Sequence, residues 1–165
     1  EDLQKQFGTK ARIILGENAL RIYLDHESIE KAGLKLDEVK AAAKKEFEKD
    51  DNVAFVVDYD NVAAQSIPQP IRERIINGYS RERGGDLLLI TNPGWIDASN
   101  DANYKGTTHG LWNPDDSHIP LIFMGWNIKH GETSKPTSMT DIAPTICSML
   151  HIQMPNACVG NSIFE

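Results

Sequence analysis

Two apolar runs constrain this chain most: Leu87-Leu88-Leu89-Ile90, entered from Asp86, and the stretch from Ile119 to Trp126. Successive side chains of a strand point to opposite faces, so a strand that is apolar at every position must be covered on both sides. The two runs therefore read as buried strands, the first of them central. The stretch between them, Thr91 to Ser117, carries turn formers and two tryptophans. It is too long for an ordinary connection, and long ordered loops of this kind often carry function.

The region before Leu87 has a different texture. Leu20, Ile22 and Leu24 alternate with polar or amphipathic residues, the two-residue period of a half-covered strand. Val39, Ala43 and Phe47 recur among Lys and Glu as one narrow stripe on a helix. Val53 to Val57 is short, β-branched and bounded by acids, the signature of a further strand. Ala11 to Val62 thus reads strand, strand, helix, strand, a small α+β lobe over residues 1–70. Pro68 and Pro70 make Ser66 to Pro70 the best connector to a second region, 71–165. There a short helix is expected over Ile71 to Tyr79, broken by Gly84-Gly85. A second is expected after a Thr140 cap, with Pro144 in its first turn and Ile142, Ala143, Ile146, Cys147, Met149 and Leu150 on its apolar face.

Composition narrows the function classes. The 165 residues are 40% apolar and 25% charged, the balance of a globular chain. A net charge of -7 without a basic cluster argues against nucleic acid or an anionic membrane as partner. No run is long and apolar enough to span a membrane, and no export leader is present in the residues at hand. Cys147 and Cys158 form no CxxC pair, which removes the zinc-ribbon and redox-motif readings. Cys147 reads as core, and a disulfide between the two stays open because sequence does not give their separation.

The stretch "GTTHGLWNPDDSHIP", residues 106–120, concentrates groups that bind metals: His109, Asp115, Asp116 and His118. His109 and His118 lie nine residues apart with Pro114 between them, so one helix face cannot present both. Two readings stand side by side. In one, glycines beside Thr108-His109 let an imidazole aim at a metal. In the other, the aspartates shape a turn after Pro114 and His118 is a hydrogen-bonded residue at a strand entrance. Asp25-His26 reads as a strand exit with solvated acids, His130 as surface, and His151 as a helix C-terminal residue complementing the dipole. No GxSxG elbow or phosphate-binding glycine loop is present.

The motifs "NGYSRERGGDLLLI", "WID", "YKGTTHGLWNPDDSHIPLIFMGW" and "TDIAPTICSMLHIQMPNACVG", in that order, resemble the C-terminal part of alkaline phosphatase superfamily enzymes. The likeness is to the phosphate-irrepressible alkaline phosphatases, near the type I phosphodiesterase and nucleotide pyrophosphatase branch. It is clear from Asn77 onward and looser before. It implies an α/β fold, the C-terminal portion of a doubly wound sheet, with two zinc ions at the strand edges. A Thr or Ser hydroxyl attacks phosphorus there, giving a phospho-enzyme in monoester or diester hydrolysis. The histidine of "GTTHG" is a zinc ligand in that family, which maps onto His109.

The resemblance places the nucleophile, the aspartate ligands and an Asp-His-Gly motif upstream of this region. Asp25-His26 is followed by Glu27 and does not supply that motif, and neither Thr107 nor Thr108 takes the nucleophile's role. No catalytic residue is therefore expected in this chain. Asp116 and His118 are candidates for orienting the ligand, with simple loop anchoring as the equal alternative. The resemblance makes the chain the C-terminal portion of a periplasmic or secreted enzyme acting on phosphate esters. Alone it should be inactive and should not retain zinc, since a stable site needs at least three protein ligands. The rival class is a non-catalytic binding or interaction module with the same fold, and a weaker third is a sulfatase or phosphoglycerate-mutase-like relative. A fragment should also expose apolar surface near Leu87 to Ile90 and Ile119 to Met124, favouring self-association.

Overall fold

The computed structural model describes residues 1–95, 103, 105, 106 and 109–164, with Asp115 described in its backbone only. Thr107, Thr108 and most of the "WID" motif lie outside the described residues. Two compact units emerge, Glu1–Pro120 and Leu121–Glu165.

The first unit is built on a four-stranded antiparallel sheet of order β1-β2-β4-β3. Its strands are β1 (Ile14–Asn18), β2 (Arg21–Leu24), β3 (Val53–Asp58) and β4 (Leu87–Thr91). The β1–β2 hairpin turns through Ala19 and Leu20, both at positive φ (50° and 62°). Two such residues give the turn the twist that paired strands require. Between β2 and β3 the chain forms α2 (His26–Lys31) and α3 (Leu36–Phe47), after an N-terminal α1 (Asp2–Gln6). A 3-10 stretch, Tyr59–Ala64, and α4 (Gln69–Gly78) follow β3. The expected strand-strand-helix-strand order is present, with α1 and α2 added, and the chain is an α/β structure.

Asp25 is no solvated strand exit. Its carboxylate accepts the Ser28 N–H at 3.0 Å and caps α2, one of the donors a helix start leaves unpaired. That contact also holds its carboxyl below the usual range, the Ser28 backbone bond outweighing partial burial.

The strand β4 shows why its sequence is apolar at every position. Leu87 and Leu89 join a core with Ile22, Leu24, Ile29, Val39, Ala43 and Val56. Ile90 joins a separate core with Val57, Ile67, Ile71 and Ile75, against which Leu88 packs. Both faces of the strand are thus covered, one by the α1–α3 layer and the other by α4 and the 3-10 stretch. Its interior position is as expected, but the sheet is the lobe's own, and Leu87 to Ile90 are not an exposed patch.

The second run behaves otherwise. Ile119 to Trp126 contains no strand, and Ile122, Met124 and Trp126 are more than four-fifths exposed. A strand needs a neighbour to pair its backbone, and the described residues supply none for this stretch. The expectation of a second buried strand is therefore corrected, while the apolar exposure expected near Ile119 to Met124 is present.

In the second unit, a 3-10 turn (Met139–Asp141) leads into the last long helix, Ile142–Leu150. Its start is organised by Asp141, whose carboxylate accepts the Ser138 N–H at 2.8 Å and the Asn161 N–H at 2.9 Å. Thr140 does not supply the cap. Thr145, fully buried, donates to the Asp141 carbonyl and accepts the Ile163 N–H at 3.0 Å. These bonds turn Pro144, Thr145 and Cys147 inward, and Ile146 and Leu150 stay exposed. Of the expected apolar face, Cys147 alone is buried. Both cysteines are free thiols.

Candidate functional site

The histidine loop is organised around one carboxylate. A four-residue helix, α5 (Pro114–Ser117), begins at the proline, whose fixed φ suits a first helical position. Asp116, on this helix, accepts the Gly110 N–H at 2.8 Å and the Leu111 N–H at 2.6 Å through Oδ2. Its Oδ1 lies 2.5 Å from His109 Nδ1. Gly110 makes this possible: its φ of 131° lies where side-chain-bearing residues are rarely found. Two consecutive backbone donors can then face one oxygen.

The Leu111 and Gly110 N–H groups, and then the His109 ring, hold the Asp116 carboxyl below its ordinary range. The Asp116 side chain is largely covered, whereas that of His109 is 79% exposed. The structure thus brings His109 and Asp116 together. His118 ends α5 with its N–H on the Pro114 carbonyl at 2.8 Å and its side chain exposed.

The loop is tied to the lobe by α4. Ile71 and Ile75 bury one stripe of that helix, and Trp112 packs on the same apolar cluster. From the outer side of α4, Arg74 Nη1 donates to the Trp112 carbonyl at 2.6 Å and to Ser117 Oγ at 3.0 Å. Asn113, between these points, is buried with neither amide atom hydrogen-bonded. Sequence reasoning did not reach Arg74, because its partners lie 38 and 43 residues away.

A second polar cluster sits at the sheet end of the lobe. Lys40 on α3 is buried and reaches Asp58 at 3.7 Å, Asp86 at 4.0 Å and Asp60 more closely. Asp86 also pairs with His26 at 2.7 Å and accepts the Leu24 N–H at 2.8 Å. Burial works against the Lys40 ammonium, but the Asp60 bond and the charges of Asp58, Asp60 and Asp86 outweigh it and raise its pKa. Among the described residues no three His, Cys, Asp or Glu side chains form a group able to hold a metal ion. No helix among them is long and apolar enough to cross a membrane.

No family model matches the chain. Curated proteins do. A protein of Myroides odoratus named calcium-transporting ATPase is 47% identical over all of this chain and 30% of its own length. Alkaline phosphatase PafA of Elizabethkingia meningoseptica is 41% identical over all of this chain and 31% of its own. The crystal structure of wild-type PafA superposes with a TM-score of 0.90 at 43% identity, covering 98% of this chain and 30% of that one. The chain thus spans about 30% of the length of the relatives it matches. A likeness of sequence and backbone this close, running through the lobe as well as the histidine loop, has one reading: the chain belongs to the alkaline phosphatase superfamily.

Proposed function

We propose that this chain is the C-terminal part of a zinc-dependent phosphoric ester hydrolase, and that His109 is the metal ligand it contributes. The observation that carries the reading is the Asp116 carboxylate on His109 Nδ1. Metal-binding histidines characteristically engage a carboxylate or carbonyl through their second ring nitrogen, which fixes tautomer and direction. With Nδ1 so engaged, zinc would be held through Nε2. The donor chemistry fits zinc, but one imidazole is short of the three protein ligands a catalytic site requires. The others belong to the part of the enzyme outside these residues, together with the Thr or Ser nucleophile.

When bound, zinc would lower the nucleophile's pKa and stabilise the attacking and leaving oxygens. The chain's own task is to present His109 in one orientation. In this reading residues 71–165 belong to the catalytic core and 1–70 to an accessory lobe, with β4 from the core portion completing the lobe's sheet. His118 is a loop residue of lesser weight, the parent is exported, and its substrates are phosphate esters. The name of the Myroides relative adds ATP as a substrate to assay, since its cleavage is also an attack on phosphorus. The exposed Ile122, Met124 and Trp126 are the apolar surface that the rest of the enzyme covers, and through which the isolated chain self-associates.

The test compares the full-length parent polypeptide with the 165-residue chain. Zinc content and hydrolysis of an aryl phosphate and of ATP are measured for both, with and without His109→Ala. The parent should turn over substrate and lose activity with zinc removal or H109A, and the chain alone should neither hold stoichiometric zinc nor hydrolyse. Turnover by the isolated chain contradicts the reading. A parent that binds phosphate esters without hydrolysing them favours a non-catalytic module.

A further inference from the structure

We infer that Arg74 is a positioning residue for the metal ligand, acting through the ends of α5; the functional half of this inference rests on the zinc reading of His109. A helix of four residues cannot sustain itself, because nucleation costs more than its few bonds return. What holds α5 must come from outside it. The Arg74 guanidinium donates to the Trp112 carbonyl, just before the helix, and to Ser117 Oγ, in its last residue. Ser117 Oγ in turn donates to the Trp112 carbonyl at 3.3 Å, closing a small ring of polar contacts.

One side chain therefore spans both ends of α5, and Asp116 lies between them. The carboxylate that α5 carries then fixes Gly110, Leu111 and His109. The sequence of causes is short: α4 is anchored by Ile71 and Ile75, Arg74 clamps α5, α5 places Asp116, and Asp116 aims the imidazole. Small displacements of such groups are costly to catalysis, because a metal site tolerates little error in ligand direction. The hydrogen bonds of Arg74 go to Trp112 and Ser117, so its effect on His109 is transmitted through α5.

The experiment uses the full-length parent with Arg74→Met, Arg74→Lys, Asp116→Asn, the double variant R74M/D116N, and H109A. Amide hydrogen exchange is followed in the zinc-stripped protein, and zinc affinity by competition with a chelator. R74M should speed exchange of the Gly110 and Leu111 amides by about 10-fold or more while leaving β4 amides protected. It should also raise the zinc dissociation constant about 10-fold, with R74K intermediate. The double variant should be no worse than D116N, since both act on one path.

Unchanged Gly110 and Leu111 exchange in R74M overturns the clamp. So does a double variant whose zinc loss is the product of the two single losses. Undiminished zinc affinity in H109A overturns the underlying ligand reading, and is distinguished from failure of the clamp by the exchange result. Should R74M not fold, Ser117→Ala removes one of the two contacts and should shift both readouts in the same direction by less.

Discussion

Replacing Lys40 by Met tests how the lobe handles buried charge. The substitution keeps an unbranched stem in the same space, so packing is largely preserved and the ammonium alone is lost. Removing one member of a fully buried ion pair costs about 3–5 kcal/mol, because the partner is left uncompensated. Here the partners are partly provided for. Asp60 is mostly exposed and rehydrates, while Asp58 retains the Asp60 N–H at 3.0 Å and Asn61 Nδ2 at 2.7 Å. Asp86 retains Leu24 N–H and His26. What remains is repulsion between Asp58 and Asp86, whose side chains are only 15% and 12% exposed. The cost should fall to about 2–3 kcal/mol, below the fully buried case. In a chain of this size that lowers the melting temperature by roughly 5–10 °C.

Urea unfolding followed by far-UV circular dichroism measures the difference, with the denaturant slope expected to stay unchanged. The pH dependence supplies a second check. The raised Lys40 pKa means its contribution is complete below the ordinary lysine value of about 10.4 and disappears as pH climbs through the raised one. The Asp60 carboxyl is depressed, chiefly by the Lys40 hydrogen bond, so its share is present above the ordinary value of about 3.9 and lost as pH falls through the depressed one. The gap between wild type and K40M should close at the alkaline limit and narrow by the share of Asp60 at the acid one. A gap within about 0.5 kcal/mol at neutral pH, the range of ordinary surface changes, refutes the reasoning.

Other consequences are equally direct. Ala19→Asn should stabilise the lobe by roughly 1 kcal/mol in the same urea assay, because alanine pays a left-handed penalty in the hairpin turn that asparagine pays less of. Gly160→Ala should loosen the C-terminal unit by about 1–3 kcal/mol, seen as faster proteolysis after residue 150, since an added Cβ would lie 2.0 Å from the Thr140 carbonyl oxygen. Native-state alkylation should modify Cys158 well before the buried Cys147, read by mass spectrometry.

How much of this was legible depended on the range of the interaction. Alternation at Leu20, Ile22 and Leu24 and the Val39–Phe47 stripe are local signals, and they named β2 and α3 correctly. The Leu87–Ile90 run correctly demanded cover on both faces, though not which sheet would provide it. Ile119 to Trp126 failed as a strand because a strand is a property of a pair, and one partner's sequence cannot reveal whether the other is at hand. In the site, Asp116 and His109 were both singled out, being seven residues apart on one loop. Arg74, Lys40 and Asp86 were not, because nothing in a short window marks an arginine or aspartate whose partners lie tens of residues away.

The strand β4 carries a further implication. Sliding it by one residue would exchange Leu87 and Leu89 for Leu88 and Ile90 between the two cores. Leucine would replace leucine, and isoleucine leucine, at nearly equal volume, so greasy packing can scarcely tell the two alignments apart. The alignment is instead written at the polar end, where Asp86 receives Leu24 N–H and His26, gives its own N–H to the Ile22 carbonyl, and offers its carbonyl to Tyr59. An aspartate at the mouth of an oily strand thus acts as its index mark, and a variant such as Asp86→Leu would leave the sheet hydrophobic yet unsure of its place.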